Sequence, residues 1–196
     1  MSLAETETEK YQKTWSIPSY HDYSHGENYA DLFMEITGAK PGESVIDLGC
    51  GTGRGGQALE KRGLEPTYLD LANYNGLEPF IEQPLWEPIQ NWPDGPGKPP
   101  PSHWRWGLCC DVLEHLPPEY TMLAIRNMLD ACGGLFLSIC FQDEAYGTIV
   151  GEPLHLTVMP FTWWRDHLRE MGNLVEARDF SPPGERDLKV GVFYVT

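Results

Sequence analysis

Short apolar runs alternate with amphipathic segments along the middle of this chain. The runs have the length and residue types of buried strands, and the segments between them repeat apolar residues at helical spacing. The pattern predicts strands over residues 44–48, 66–70, 104–110 and 134–140 and helices over residues 54–62 and 119–131. Such alternation indicates a parallel sheet with crossover helices, which binds its ligands at the carboxyl ends of the strands.

The last third of the chain has a different pattern. A helix is predicted from Thr162, as its N-cap, to Met171, with Gly172 as its stop. Two apolar runs follow, at residues 174–180 and 190–195, and turn residues join them, so these two strands should pair antiparallel. We therefore predict an α/β fold with a single doubly wound, mostly parallel sheet that ends in a C-terminal antiparallel strand pair.

The chain is poor in apolar positions up to about residue 19, which predicts a mobile arm. After it, Ser24 and Glu27 have the spacing of a capping box, and Gly38 marks the end of the helix that this box begins. The arm nevertheless carries Tyr11, Trp15, Tyr20, His21 and Tyr23. We divide the chain into an arm of residues 1–25, which is a candidate lid or else a tail without a role, and a ligand-binding domain of residues 26–196.

The strand at residues 44–48 runs directly into a loop with glycines at alternate positions. The sequence over residues 45–53 is Val-Ile-Asp-Leu-Gly-Cys-Gly-Thr-Gly, so Asp47 stands two residues before Gly49. Glycines at alternate positions permit a left-handed backbone and let a ligand approach the main chain, and the helix that follows presents unpaired N–H groups. The pattern therefore predicts a loop that binds a polar cofactor.

This run resembles the first motif of the class I, Rossmann-like, S-adenosylmethionine-dependent methyltransferases. The resemblance implies that Asp47 holds the amino group of S-adenosylmethionine (SAM) and that the glycines pass beneath the ribose. Asp70, at the end of the next strand, stands where an acid binds ribose hydroxyls. The cofactor contacts predicted around these two strands are Asp47, Gly49, Cys50, Gly51, Gly53, Asp70 and Leu71.

The glycines also satisfy a competing pattern, since residues 51–56 read Gly-x-Gly-x-x-Gly, as in dinucleotide-binding loops. Asp47 argues against a dinucleotide, because a carboxylate near the glycines would repel a pyrophosphate but attract an ammonium group. Asp70 supports a nucleoside and suits both classes of cofactor. Each acid also has a plain structural alternative, a strand-end cap for Asp47 and a solvated turn residue for Asp70.

A second family motif follows the strand at residues 104–110. The run Asp-Val-Leu-Glu-His-Leu over residues 111–116 is similar to the segment after the fourth strand of these methyltransferases. The resemblance implies that Asp111 and Val112 lie beside the methionine part of SAM. It also implies that His115 borders the methyl acceptor.

The resemblance extends to residues 153–157, which contain His155 and match the segment after the fifth strand of the family. We take His115 and His155 as the candidate catalytic residues, because an imidazole can accept a proton near neutral pH. The alternative for each is a structural hydrogen bond to the backbone. Aromatic side chains near the acceptor would form its wall or else pack in the core, namely Tyr20, His21, Tyr23, His25, Trp163 and Trp164.

Residues 91–101 are rich in proline and glycine, which predicts a surface loop. The third β-α unit is therefore confined to roughly residues 77–103 and is short. The acidic pair that marks adenine contact in the family is not visible there. Leu85, Trp86 and Glu87 are the nearest substitute, so Trp86 is the candidate adenine contact.

Composition limits the partners of the chain. Its 196 residues carry 14 Lys and Arg against 29 Asp and Glu, a formal net charge of −15, which repels nucleic acid and anionic membranes. No run approaches the length of a membrane span, and the N-terminus lacks the features of a signal peptide. The five cysteines have neither disulfide nor metal-ligand spacing, which favours reduced thiols in the cytoplasm and no bound metal.

The resemblance thus predicts an enzyme, a SAM-dependent methyltransferase whose catalytic domain is residues 26–196. Its acceptor is unidentified and is expected to be a small molecule or a protein. One alternative is a nucleic-acid methyltransferase, which the net charge disfavours. The other is a non-catalytic protein of the same fold that binds SAM or another nucleoside.

Overall fold

The computed structural model describes residues 2–21, 24–89, 103–144, 146–180 and 190–196. Within them, the strands are β1 Ser44–Leu48, β2 Glu65–Asp70, β3 Phe80–Glu82, β4 Trp106–Cys110, β5 Leu135–Cys140, β6 Leu174–Asp179 and β7 Val190–Val195. The helices are α1 Leu3–Trp15, α2 Pro18–His21, α3 His25–Asn28, α4 Ala30–Thr37, α5 Arg54–Glu60, α6 Pro118–Ala131, α7 Gly147–Val150 and α8 Phe161–Met171. The predicted loop at residues 91–101, the turn at residues 181–184 and the side chains of His21 and Tyr23 lie outside the described residues.

The strands form one sheet in the order β3-β2-β1-β4-β5-β7-β6. Strands β1 to β5 are parallel to their neighbours among these five, whereas β7 pairs antiparallel with both β5 and β6. The predicted fold class is therefore confirmed, including the C-terminal antiparallel pair. The strand order reverses between β1 and β4, and open α/β sheets bind ligands at such a switch point.

Strand β1 is buried on both faces. Val45 packs in a cluster with Phe33 of α4, and Ile46 packs in a second cluster with Ile125 of α6. Burial on both faces is what a parallel strand between two helix layers requires. Trp164 is completely buried in the second cluster and its neighbour in sequence packs against that cluster, so this aromatic pair belongs to the core and not to an acceptor wall.

The helix predicted from the capping signal at Ser24 is broken into two short helices. The Ser24 hydroxyl accepts a hydrogen bond from the N–H of Glu27 at 3.3 Å, which begins α3. Tyr29 then departs from helical geometry, with φ −95° and ψ 1°, and α4 begins after it. Gly38 ends α4 with a φ of +67°, as predicted.

The predicted start of one helix is wrong, and the structure gives the bounds of the third strand. Helix α8 begins at Phe161, before Thr162, and follows Pro160 without any side-chain cap. The third strand ends at Glu82, so Trp86 lies beyond the strand and not at its end. A proline two residues past Glu82 has no N–H to donate, so it cannot extend the ladder of hydrogen bonds.

The N-terminal arm contains a helix that its apolar pattern did not indicate. Helix α1 begins with a complete capping box, in which Ser2 and Glu5 exchange side-chain to backbone hydrogen bonds. Its buried face consists of Glu7, Lys10 and Thr14, and Glu7 pairs with Lys10. Because these side chains are polar, the helix docks without an aliphatic stripe.

All five cysteines are free thiols, as expected. Burial raises the pKa of the Cys109 and Cys110 thiols well above the ordinary value, so they behave as small apolar residues of the sheet. None of the helices in the described ranges has both the length and the apolar surface that crossing a membrane requires.

Candidate active site

The carboxyl ends of β1, β2 and β4 open into a cavity of about 460 Å³, and the segment from α1 to α3 covers its other side. Ligand pockets usually measure about 300–1,000 Å³. All the site residues predicted from the sequence except Gly53 line this cavity, namely Asp47, Gly49, Cys50, Gly51, Asp70, Leu71, Trp86, Asp111, Val112, His115 and His155. Residues separated by more than a hundred positions in sequence, such as Asp47 and His155, therefore meet in one place.

The glycine loop depends on left-handed backbone geometry. Gly49 and Gly51 have φ values of +73° and +53°, and the N–H of Gly49 donates to the carbonyl of Leu69 at 2.8 Å, which ties the loop to β2. Gly53 also has a positive φ, but a Cβ there would lie 2.5 Å from the side chain of Leu77. Gly53 therefore serves the packing of the loop and not the wall of the cavity.

Asp47 is buried beneath the loop, with 5% of its surface exposed. Its Oδ2 accepts a hydrogen bond from the N–H of Gly56 in α5 at 2.7 Å. Burial raises the pKa of Asp47 to about 7, although the N–H of Gly56 acts in the opposite direction. A cationic group on a ligand would compensate this carboxylate, since the described lining of the cavity contains no lysine or arginine.

Asp70 fixes the loop from the end of β2. Its Oδ2 accepts from the N–H of Gly51 at 2.7 Å, and its Oδ1 accepts from the N–H of Leu71 at 2.7 Å. Burial raises the pKa of Asp70 to about 6. Each carboxylate oxygen retains a lone pair, so Asp70 can accept hydrogen bonds from ligand hydroxyls while it holds the loop.

The charge of the cavity is negative. Its described lining contains no lysine or arginine. The acidic side chains that line it are Glu7, Asp47, Asp70, Asp111 and Glu144. A pyrophosphate would be repelled there, whereas an ammonium or sulfonium cation would be attracted.

The second motif turns sharply after β4. Asp111 has a φ of +59°, a left-handed conformation that Asp adopts more readily than most residues. A 3-10 turn follows at residues 113–115. The side chain of Val112 packs against the glycine loop so closely that a Cβ on Gly49 would lie 2.7 Å from its Cγ2. The two motifs are thus in direct contact at the switch point.

The two candidate catalytic histidines face each other. Their ring centroids are 4.5 Å apart and nearly perpendicular. Nδ1 of His115 lies 3.2 Å from the carbonyl oxygen of Leu154, and Nδ1 of His155 lies 2.6 Å from that of Gln142. Burial, followed by the neighbouring His115, lowers the pKa of His155, which favours a neutral ring. In both imidazoles Nδ1 contacts a backbone carbonyl oxygen, so Nε2 is the nitrogen that could accept a proton.

Glu114 lies within the second motif, but no role could be assigned to it from the sequence. It is completely buried, and its Oε1 accepts from the N–H of Cys140 at 2.6 Å. Its Oε2 is buried without a hydrogen-bond partner. Burial, and then the charge of Asp111, raises the pKa of Glu114. Together with Asp111, His115 and His155, it forms a cluster whose ligand atoms could hold a metal ion.

Gln83 is a second residue that the sequence did not single out. It directly follows β3, lines the cavity and is buried, and its Oε1 has no hydrogen-bond partner. Its Nε2 lies 3.4 Å and 3.3 Å from the carbonyl oxygens of Glu87 and Pro88, which fixes the orientation of the amide. Trp86 lines the same end of the cavity, so this end offers an aromatic surface with one free acceptor.

Aromatic rings of the N-terminal segment cover the cavity. A Cβ on Gly51 would lie 2.5 Å from the indole of Trp15, so this ring rests directly on the glycine loop. Trp15 packs edge-on against Tyr20 with centroids 4.9 Å apart, and Tyr11 packs edge-on against His115 at 5.8 Å. The hydroxyl of Tyr11 is buried without a partner. The aromatic wall of the cavity therefore comes largely from this segment.

No protein-family model matches the chain. The chain is similar to the ubiquinone biosynthesis O-methyltransferase of Xanthomonas campestris pv. campestris, with 27% identity over 154 residues, which are 72% of this chain and 63% of that protein. The match thus spans less than two thirds of the relative's length.

Solved structures share the fold. One is the 1,6-didemethyltoxoflavin-N1-methyltransferase of Burkholderia thailandensis with bound 1,6-didemethyltoxoflavin and S-adenosylhomocysteine, with a TM-score of 0.67, 15% identity and coverage of 100% of this chain and 90% of that chain. Another is the [4+2]-cyclase SpnF, with a TM-score of 0.62, 15% identity and coverage of 86% and 79%. With its sheet topology and both motifs meeting at the switch point, the chain has the fold of the class I, Rossmann-like, SAM-dependent methyltransferases and is similar in sequence to members of that superfamily.

Proposed function

We propose that this chain is an enzyme that transfers the methyl group of SAM to a small-molecule acceptor. The observation that carries the proposal is the placement of Asp47 and Asp70 on either side of the glycine loop, in a cavity whose described lining has no lysine or arginine. SAM carries a sulfonium and an ammonium group, so this negative cavity suits it better than a dinucleotide with its pyrophosphate.

The free polar atoms of the cavity fit the parts of SAM. Asp70 would accept hydrogen bonds from the ribose hydroxyls, since each of its oxygens retains a lone pair. Gln83 Oε1 is buried without a partner and would accept a hydrogen bond from the exocyclic amine of adenine, and Trp86 also lines the cavity. Asp47, with Asp111 across the loop, would compensate the ammonium of the methionine part. A ligand that satisfies such buried atoms removes their desolvation cost.

SAM supplies a methyl group that is already activated as a sulfonium, so the chain needs no nucleophile of its own. Its residues have to hold an acceptor atom in line and exclude water. Tyr11, Trp15 and Tyr20 would exclude water from one side. Nε2 of His115 or His155 would accept a proton from the acceptor, because each Nδ1 faces a carbonyl oxygen and must carry the ring proton.

Two findings favour a small molecule over nucleic acid as the acceptor. The described lining has no basic residue for a phosphate backbone. Two similar proteins, a ubiquinone biosynthesis O-methyltransferase and a 1,6-didemethyltoxoflavin-N1-methyltransferase, are named for small molecules. A protein side chain remains the other acceptor that the cavity would admit, since its aromatic wall suits any planar group.

A second candidate function is a reaction of the same fold without methyl transfer. The similarity to a [4+2]-cyclase favours it, since this fold is not restricted to methyltransferases. Incubation of the chain with SAM and a small-molecule extract of cells distinguishes the two candidate functions. Formation of S-adenosylhomocysteine supports methyl transfer, and its absence under conditions where SAM binds supports the second function.

Calorimetry tests the cofactor directly. We expect the chain to bind SAM and S-adenosylhomocysteine and not NAD. Asp70→Ala should weaken SAM binding by about 10- to 100-fold, since a charge-assisted hydrogen bond contributes roughly 1.5–3 kcal/mol. Glu65→Ala, at the exposed start of the same strand, is the matched control and should bind SAM as the parent does. Micromolar NAD binding without SAM binding would overturn the assignment.

We also propose that residues 1–25 act as a lid that opens for ligand exchange. Helix α1 docks through polar side chains and a few rings, and Trp15 contacts both the glycine loop and Tyr74. Tyr20 reaches across to Tyr146, with centroids 5.3 Å apart. Contacts of this kind are weaker than an aliphatic core, so the segment can detach and then close over an occupied cavity.

Limited proteolysis tests the lid. Cleavage before Ser24 should slow at least several-fold when S-adenosylhomocysteine is added, because a closed segment is protected. Cleavage elsewhere, at exposed loops of the domain, serves as the internal control. Equal rates with and without the ligand, together with normal SAM binding by a chain that lacks residues 1–19, would leave the segment as a tail without a role.

A further inference from the structure

Four residues that line the cavity are not assigned to SAM: Tyr11, Tyr20, Glu144 and Tyr146. Two come from the N-terminal segment and two from the stretch after β5, and we call the part of the cavity that they line the acceptor end. We propose that the acceptor end recognises an organic cation, so that the methyl acceptor is an amine that enters as its ammonium form. This inference rests on the proposed function, because it names the substrate class of the same cavity.

Three of these four residues are tyrosines. Tyr20 packs edge-on against Tyr146, with ring centroids 5.3 Å apart, so the two segments meet through aromatic rings. Burial, followed by the charges of neighbouring groups, raises the pKa of Tyr11 and of Tyr20, so both phenols keep their protons and stay neutral. The face of an aromatic ring attracts a cation, and proteins recognise ammonium ligands with several such rings together. The rings therefore favour a cationic ligand over an anionic one.

The hydroxyl of Tyr11 has no hydrogen-bond partner, although its oxygen is buried. A buried hydroxyl without a partner costs free energy that a ligand recovers when it supplies one. The oxygen can accept a hydrogen bond from the N–H of an ammonium group, or the hydroxyl can donate one to a neutral ligand. The charge of the surroundings decides between these two kinds of ligand.

The acidic side chains of the cavity exceed what SAM compensates. SAM brings a sulfonium, an ammonium and a carboxylate, so it adds a single net positive charge. Among the acids in the described lining, Glu7 is paired with Lys10, and Oδ2 of Asp111 lies 3.4 Å from Nε2 of His25. The two acids beside the glycine loop and Glu144 remain. Burial raises the pKa of the two acids beside the loop, and a nearby cation would lower it again. This excess of carboxylates favours a second cation in the cavity over a neutral or anionic acceptor.

Glu144 is held in a fixed position at the acceptor end. Its Oε1 and Oε2 accept from the N–H of Gly147 at 3.0 Å and 2.9 Å, and Oε1 also accepts from the N–H of Leu154 at 3.2 Å. The carboxylate has more lone pairs than these donors use, so it can accept a charge-assisted hydrogen bond from an ammonium group. The charge of Glu144 is among the causes that raise the pKa of Tyr20, so the carboxylate acts on the same space as the rings.

An ammonium group has to lose a proton before it can accept a methyl group, because its nitrogen has no lone pair. The positive sulfonium nearby lowers the pKa of the ammonium group, and Nε2 of His155 takes the proton. Burial lowers the pKa of His155, so its ring is neutral and can accept. The freed lone pair then forms the bond to the methyl carbon, and the electron pair of the broken carbon–sulfur bond stays on sulfur as a thioether. The product is an N-methylated ammonium compound.

Calorimetry with three probes of similar size tests the charge of the acceptor. The probes are 2-phenylethylamine, 2-phenylethanol and phenylacetate, and each is titrated into the full chain saturated with S-adenosylhomocysteine, which allows no methyl transfer. We expect the amine to bind at least about 10-fold more tightly than the alcohol, and phenylacetate not to bind at about 10 mM. Equal affinity for the amine and the alcohol, binding of phenylacetate, or no binding of the amine at about 10 mM overturns the inference.

Two variants test the residues of the acceptor end. Glu144→Gln removes the charge and keeps an oxygen that accepts from backbone N–H groups, and Tyr11→Phe removes only the hydroxyl. Each should weaken binding of the amine by about 10-fold, and Glu144→Gln should change binding of the alcohol by less than about three-fold. The matched controls are Glu152→Gln, an exposed position on the same stretch, and Tyr194→Phe, which is buried away from the cavity. Should one variant fail to fold, the other decides, and parent affinity for the amine in the folded variants overturns the assignment.

Calorimetry with SAM, and with the amine in the absence of S-adenosylhomocysteine, separates this inference from the proposed function. Binding of SAM without any preference for the amine overturns only the cation site. Selective binding of the amine by a chain that binds neither SAM nor S-adenosylhomocysteine overturns only the proposed function.

Discussion

Gly51→Val should lose SAM affinity by more than about 100-fold, which corresponds to roughly 2.7 kcal/mol of binding free energy. Two causes act together. The φ of +53° at Gly51 is unfavourable for a β-branched residue, and the N–H that Asp70 accepts would shift with the loop. The new side chain would also occupy the space next to the indole of Trp15, since its Cβ would lie 2.5 Å from that ring. Calorimetry on folded samples measures the loss.

Gly76→Val separates the two causes. Gly76 has a similar φ of +63°, but a Cβ there would have no neighbour within 4 Å. This control should lose a similar amount of stability, about 1–3 kcal/mol for the strained backbone, and keep SAM affinity within a factor of about three. Retention of parent affinity by Gly51→Val would mean that the ligand does not lie over the loop.

The free energy of unfolding should fall by about 2–4 kcal/mol as the pH rises from about 4 to about 7, because of Asp47. Its pKa is about 7 in the folded chain against an ordinary value of 3.8. Between these two pKa values the native state keeps a proton that the unfolded chain has released. The stabilisation from this group is therefore fully present below the ordinary pKa, and it is lost as the pH rises through the folded pKa. Asp70, with a folded pKa of about 6, acts in the same direction.

Asp47→Asn should flatten this dependence, because the amide stays neutral and can still accept from the N–H of Gly56. Urea unfolding at several pH values between about 4.5 and about 7.5, without ligand, measures it. Asp130→Asn, at an exposed position of α6, is the matched control and should follow the parent. Parallel curves for the parent and Asp47→Asn would show that the buried carboxyl titrates near its ordinary pKa.

The central strands were predictable because they are short, buried apolar runs that are followed by turn residues. β1 shows this most clearly, as a short apolar run that stops at the glycine loop. β3 was not predictable, because three residues between prolines carry too little periodicity. Helix α1 was missed for another reason. Its buried face is polar, with Glu7 paired to Lys10, and burial of such a pair depends on the partner surface and not on the helix itself.

The candidate site likewise contains residues that could be predicted from the sequence and residues that could not. Asp47 follows from a local pattern, a strand that runs into a glycine loop, and Asp70 follows from its position at the end of the next strand. Gln83 could not be found without the end of β3, on which its position depends. Glu114 was visible in a motif, but its free oxygen becomes meaningful only when the fold brings His155 to it from beyond β5. Convergence of this kind has no signature in a single sequence.

The left-handed turn at Asp111 also restricts how this position can change during evolution. Glycine suits the backbone there but removes the carboxylate, and glutamate keeps the charge but is disfavoured at a φ of +59°. Asparagine tolerates this backbone conformation and keeps one side-chain oxygen, so it is the neutral replacement that combines little strain with a remaining acceptor. Descendants of this chain should therefore sample almost no residues at this position besides aspartate and asparagine, even where the surrounding cavity diverges to admit new acceptors.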